Sequence, residues 1–245
     1  LGWLAQSTPT KGTVTEISSF TIPKSPSGMF FFTEQSLLYI LCGTQTNGDH
    51  YLYAYTTAGQ QRCFITIPQA VGMTRVDGFY IVGSVAYIVD SQGPIYASTA
   101  GKLGGSVYQV EWTNPCSCSS GATCSSSSAT WSPTVTKTWS LAANAADIDD
   151  GGGADNDFRN SGIVVVGDYW YGVNGVHPIG GSLTGTYPKS IVKVAMSATT
   201  KDTGNAEVTK KWSFDGSTLG HDLDMEGLTC GPDDCANSLY VGDEY

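Results

Sequence analysis

His221-Asp222-Leu223-Asp224-Met225-Glu226-Gly227-Leu228 runs through a cysteine loop into Leu239-Tyr240-Val241-Gly242-Asp243-Glu244-Tyr245 at the end of a 245-residue chain. An Asp-x-Glu-Gly corner is coupled there to a short apolar strand that ends in two more carboxylates. Three weaker copies lie upstream. Ser27-Gly28-Met29 leads to Leu38-Tyr39-Ile40-Leu41, Asp77-Gly78-Phe79 to Ala86-Tyr87-Ile88-Val89-Asp90, and Ser161-Gly162-Ile163 to Tyr169-Trp170-Tyr171-Gly172-Val173. A glycine after the acid suits a tight backbone corner at which a side chain would collide.

Each complete copy continues into a third, alternating strand and a closing strand. Tyr51-Leu52-Tyr53-Ala54-Tyr55 is followed by Cys63-Phe64-Ile65-Thr66-Ile67, and Ser106-Val107-Tyr108-Gln109-Val110 by Val135-Thr136-Lys137-Thr138-Trp139-Ser140-Leu141. Ser190-Ile191-Val192-Lys193-Val194 is followed by Val208-Thr209-Lys210-Lys211-Trp212-Ser213-Phe214. The last two closing strands match closely. Ser19-Phe20-Thr21-Ile22 is expected as an outer strand ahead of the first corner. The corner glycines are 50, 84 and 65 residues apart, the excess over 50 falling in a Cys/Ser-rich insertion (residues 114–133) and an acidic Gly-rich loop (residues 145–158). Four short strands every ~45–50 residues is the period of a β-propeller blade, a unit that buries both faces only by stacking on its neighbours.

The fold expected is therefore all-β: one propeller domain over residues 1–245, built of four-stranded blades and amounting to about three and a half of them. Three and a half blades do not close a ring, so the chain reads as an incomplete portion of a larger one. A β-sandwich with similar strand lengths would satisfy the same turn chemistry; the paired Trp-Ser-Leu and Trp-Ser-Phe closing strands favour the propeller.

A composition of 30 glycines, 11% aromatics and short β-branched runs agrees with an all-β chain, and no apolar run approaches the ~18 residues of a membrane span. The net charge of −10 argues against nucleic acid and anionic membranes, whose binding needs a cationic footprint. Asp147, Asp149, Asp150, Asp155 and Asp157 crowd one loop, and eight more acids lie in residues 215–245, where no Lys or Arg occurs. Bound cations are a common relief for such self-repulsion. Seven cysteines sit in loops or polar surroundings where a reduced thiol gains little packing, which points to disulfides and to an extracellular or cell-surface location. Cys230 and Cys235 are placed to close a small local loop, and Cys116, Cys118 and Cys124 to supply a second bridge within their insertion.

Asp224-Met225-Glu226-Gly227-Leu228 with Leu239-Tyr240-Val241-Gly242-Asp243-Glu244 resembles the phytase-like and esterase-like-phytase β-propellers, whose hallmark is an Asp-x-Glu-Gly turn followed by a strand ending in paired carboxylates. The resemblance implies that Asp224, Glu226, Asp243 and Glu244 face the axial channel and hold Ca²⁺, with Asp77 and Asp90 as the corresponding acids of the second copy. Ser27 and Ser161 replace the acid in the first and third. Calcium needs six to eight oxygens, which two carboxylate pairs and main-chain carbonyls can supply. Asp147, Asp149, Asp155 and Asp157 form a second candidate calcium loop, although three glycines interrupt the EF-hand spacing.

The expected role is a calcium-stabilised binding or structural module whose ligand is a protein, a glycan or a phosphate ester. The first rival is a calcium-dependent phosphoesterase at the axial mouth, in which Arg75 or Arg159 clamps phosphate and His221 acts as base or ligand. The second is a carbohydrate binder using Trp and Tyr platforms. No Gly-x-Ser-x-Gly elbow or phosphate-binding glycine loop is present.

Overall fold

The computed structural model describes residues 20–23, 26–42, 48–68, 73, 76–90, 106–116, 127–140, 160–174, 189–197, 204–205, 208–214, 225–230 and 239–243. Blade 1 is the antiparallel sheet β1 (Pro26–Phe32), β2 (Leu37–Cys42), β3 (His50–Tyr55) and β4 (Gln61–Ile67). Blade 2 follows with β5 (Val76–Val82), β6 (Val85–Asp90), β7 (Ser106–Glu111) and, after the insertion strand β8 (Ser127–Thr130), β9 (Val135–Ser140). Blade 3 comprises β10 (Asn160–Val166), β11 (Tyr169–Asn174), β12 (Lys189–Ala195) and β14 (Val208–Phe214), with the short β13 (Gly204–Asn205) between the last two. Blade 4 is narrower: among the described residues it holds β15 (Met225–Cys230) and β16 (Leu239–Asp243).

The first strands of the four sheets gather around one axis, with β1 against β5, β5 against β10, β10 against β15, and β15 also touching β1. This is propeller architecture. It follows from apolar alternation on both faces of each strand, because a sheet buried on both sides must be sandwiched between two others. Three seams result. Leu41, Leu52, Ile65, Phe79, Ile88 and their neighbours fill the first, Tyr87, Val107, Trp139, Trp170 and Val192 the second, and Val164, Tyr171, Ile191 and Leu228 the third. On the side of blade 1 that faces away from blade 2, Ile40, Cys42, Tyr53 and Tyr55 are buried, whereas Met29 and Phe31 on β1 are 70% and 43% exposed.

Two connections depart from a simple meander. β8 leaves blade 2 and pairs in parallel with β4 of blade 1, and β13 leaves blade 3 and pairs in parallel with β9 of blade 2. In both cases the link between the third and fourth strands of one blade reaches back and covers the outer edge of the blade before it. Covering that edge satisfies main-chain groups that would otherwise template aggregation. The 114–133 insertion is thus partly strand.

Cys116 also bonds to Cys63 of β4, across 53 residues, while Cys118 and Cys124 of the insertion lie outside the described residues. The reach-back of β8 brings the two sulfurs together. Asn114 fixes the start of the same segment, its Nδ2 donating to Gln35 Oε1 and Tyr39 Oη at 3.2 Å each. Cys230 is also disulfide-bonded. Phe20 and Ile22, expected on an outer strand, instead pack without strand pairing on blade 1, where the Phe20 ring lies 4.9 Å from that of Tyr55.

Candidate functional site at the bulged corners

The four acid-glycine or serine-glycine corners are the beginnings of the innermost strands, and each carries a β-bulge at the same point. Pro26 pairs with Cys42 but Gly28 with Leu41, so Ser27 is the extra residue; Asp77 is extra between the pairs Val76–Asp90 and Gly78–Val89. Glu226 is extra between Met225–Asp243 and Gly227–Gly242, and in β10 the shift falls between Asn160 and Ile163. In the sequence these stretches read as turns, because the extra residue breaks the alternation that marks a strand.

The glycines are needed for contact between blades. A Cβ on Gly28 would stand 2.8 Å from the carbonyl oxygen of Asp77, and one on Gly162 would stand 2.5 Å from the main-chain nitrogen of Leu228. The corner of blade 1 is therefore pressed on the corner of blade 2, and that of blade 3 on that of blade 4. In blades 2 and 4 the bulged residue and the residue paired just ahead of it are both acids, Asp77 with Asp90 and Glu226 with Asp243. In blades 1 and 3 the same places hold Ser27 with Cys42 and Ser161 with Asn174.

Asp77 and Asp90 are both buried, at 5% and 0% exposure. The other buried polar side chains among the described residues are His50 and Ser106. All four lie at the corner end: His50 opens β3 beside the Cys42–Tyr51 pair, and Ser106 pairs with Asp90. Tyr108, two residues along β7, belongs to the same group. Burial, and then the charge of Asp90, push its hydroxyl up to about 12 against the opposing hydrogen bond with Ser106. A carboxylate, a hydroxyl and a phenol thus share one buried pocket of charge between blades 1 and 2.

His50, Ser106 and Tyr108 were absent from the sequence-based candidates. Their signal was strand phase, since His50 alternates with Leu52 and Ala54, and Ser106 with Tyr108 and Val110, on buried faces. Of the sequence-based candidates, the fold brings Asp77 and Asp90 together and sets the backbone of Glu226 and Asp243 at the matching corner of blade 4. Asp224, Glu244, His221, Arg75, Arg159, Asp147, Asp149, Asp155 and Asp157 lie outside the described residues. Among the described residues, no three His, Cys, Asp or Glu side chains converge as a metal-binding group.

Below the corners the innermost strands meet across the axis. Tyr80 of β5 sets its ring 4.5 Å from that of Phe30 on β1, and its hydroxyl lies 3.9 Å from Sγ of Cys230 on β15.

No family model matches the sequence, and no curated protein matches it. Among solved structures, the chain is similar at 9% identity to the Cellvibrio cellulosa alpha-L-arabinanase complexed with arabinohexaose, over 89% of this chain and 96% of that one, with a TM-score of 0.32. It is similar at 7% identity to the computationally designed Ika8 protein, over 89% of this chain and 68% of that one, with a TM-score of 0.27. At these scores the propeller assignment rests on strand order and blade stacking, and neither likeness speaks to activity.

Proposed function

We propose that this protein is an extracellular β-propeller, stabilised by calcium at the corner end of its axis and acting as a binding or structural module. The observation that carries the reading is the gathering of four equivalent bulged corners on one axis, two of which bring paired acids, Asp77 with Asp90 and Glu226 with Asp243. Carboxylates and main-chain carbonyls at such corners are the hard oxygen donors that calcium takes. A buried carboxylate also requires compensation by hydrogen bonds or a cation, and Asp90 is fully buried. The Cys63–Cys116 bridge and the disulfide at Cys230 support an oxidising compartment.

The test is thermal unfolding with calcium and with chelator. Saturation at about 100 times Kd contributes roughly 2.7 kcal/mol to the folded state, so the melting temperature rises with calcium and falls back on chelation. Asp77→Asn with Asp90→Asn removes the response, and a melting temperature indifferent to calcium rejects the reading. Hydrolysis of a generic phosphomonoester that appears with calcium and stops with chelator would instead establish the phytase-like phosphoesterase, using the same acids as metal ligands.

A further inference from the structure

Cys116, Cys118 and Cys124 share one insertion, and the fold joins Cys63 to the first of them. β8 pairs in parallel with β4, from Ser127 opposite Cys63 to Thr130 opposite Thr66. Cys124 precedes Ser127 by three residues, about 11 Å of extended chain at most. Pairing of β8 therefore brings the insertion to Cys63 without choosing among its thiols, and it sets Cys124 nearer along the chain than Cys116. Cys118 follows Cys116 by only two residues. The bridge nevertheless forms with Cys116, which lies in a turn beyond the end of β7.

Hydrogen bonds on the near side of Cys116 supply the direction that β8 does not. Asn114 Oδ1 accepts from the main-chain N–H of Cys116 at 2.9 Å, closing the turn that carries the thiol. Its Nδ2 donates to Gln35 Oε1 and to Tyr39 Oη at 3.2 Å each, and the Tyr39 hydroxyl donates to the same Gln35 Oε1 at 2.8 Å. Gln35 sits between β1 and β2 and Tyr39 on β2, so a single amide ties the Cys116 turn to blade 1. The Tyr39 ring is buried and meets Trp112 edge-on at 5.8 Å, while the main-chain N–H of Trp112 donates to the Ser84 carbonyl in the β5–β6 turn at 2.8 Å. None of these contacts involves a sulfur, so the turn can dock while both thiols are still reduced.

We propose that Asn114 selects the partner of Cys63: it docks the Cys116 turn on blade 1 and so places this thiol, ahead of those of Cys118 and Cys124, where the bridge closes. The chemistry is thiol–disulfide exchange. One protein thiolate attacks a small-molecule disulfide such as oxidised glutathione and releases one small thiolate; the second protein thiolate then attacks the protein sulfur of the mixed disulfide and releases the other. Two electrons pass from the protein to the small disulfide, and the two protons lost by Cys63 and Cys116 end on the released thiols. Asn114 takes no part in the exchange and acts through Cys116, as a positioning residue. Calcium has no role in this selection.

The experiment is oxidative refolding of the reduced full chain in a glutathione buffer, followed by acid quenching and mapping of the bridges by fragmentation mass spectrometry. In Asn114→Ala the amount of Cys63 joined to Cys118 or Cys124, relative to Cys116, is expected to rise about tenfold or more over the parent chain. Gln35→Ala, which removes the blade 1 end of the contact and leaves the Cys116 turn intact, should shift the ratio in the same direction. Thr113→Ala, adjacent and exposed, should leave it unchanged. The bond at Cys230 reports on folding elsewhere and is expected to survive in all three variants. Unaltered pairing in Asn114→Ala overturns the proposal. So does a shift that Gln35→Ala does not share, which would confine the effect to the local turn, and so does loss of the Cys230 bond alongside the mispairing, which would make it a consequence of general misfolding.

Discussion

Tyr80 and Cys230 meet across the propeller axis, the phenol hydroxyl of blade 2 lying 3.9 Å from the sulfur of blade 4, 150 residues away in sequence. Because Cys230 is disulfide-bonded, its sulfur has no proton and Tyr80 is the donor. With the Phe30 ring tilted against the same ring at 4.5 Å, Tyr80 ties three innermost strands together.

Adding a methyl group at the corners should separate the blades. Gly28→Ala and Gly162→Ala each press a Cβ on neighbouring backbone that has no room to yield, and each is expected to cost about 1–3 kcal/mol in chemical denaturation. Gly83→Ala is the control for backbone strain alone. No atom lies within 4 Å of its new Cβ, but its φ of +56° carries a cost of roughly 1–2 kcal/mol. An additional loss of calcium response in the two corner variants, and not in Gly83→Ala, would tie the corners to the ion.

Opening the Cys63–Cys116 bridge releases a loop spanning 53 residues. The double variant Cys63→Ser, Cys116→Ser is expected to lose roughly 4 kcal/mol on loop entropy. Limited proteolysis should then cut within the segment that carries β8 before any other part of blade 1. A bridge whose removal leaves the unfolding midpoint unchanged would contradict its role in holding the reach-back strand.

The two repeated lysines should respond differently to truncation. Lys137→Ala removes a cation over Trp139 and a charged donor to Met196, and is expected to destabilise by about 1–2 kcal/mol. Lys210→Ala, exposed above Trp212, should change the stability of the isolated chain by about 0.5 kcal/mol or less. Equal losses from the two would mean that the exposed lysine is held as tightly as the half-buried one.

Stability should decline in alkali. Tyr108 titrates near 12 when folded against an ordinary 10.0, and burial raises Tyr39 in the same direction. The unfolded chain gives up these protons first, so the contribution of Tyr108 is complete below pH 10 and is lost as pH rises from 10 to 12. That difference corresponds to roughly 2–3 kcal/mol. Tyr108→Phe should flatten that part of the pH profile. Asp90→Asn should shift it toward lower pH by removing a charge that opposes ionisation.

Much of the fold was legible in the chain. The second, third and fourth strands of blades 1 to 3 lie within a residue or two of the apolar runs that announced them, because a strand buried on one or both faces writes its period into its residues. The matched Val-Thr-Lys-x-Trp segments foretold equivalent closing strands. The glycine corners foretold a place where a side chain would collide, though not with what. The candidate site was half legible: Asp77 and Asp90 were found from the motif, while His50 and Ser106 were overlooked as ordinary polar residues at strand starts.

By itself, then, the sequence determined the all-β class, the blade period and the repeated corners, since these depend on local alternation and on residues at fixed short spacings. Tertiary structure alone decided that Cys116 reaches Cys63, that β8 and β13 cross back onto the preceding blades, and that Tyr80 meets Cys230 across the axis. It also decided that Trp139 is buried while its twin Trp212 is half-buried. Those outcomes depend on which blade lies beside which, and contacts between residues 50 to 150 apart leave no periodic mark on either segment that makes them.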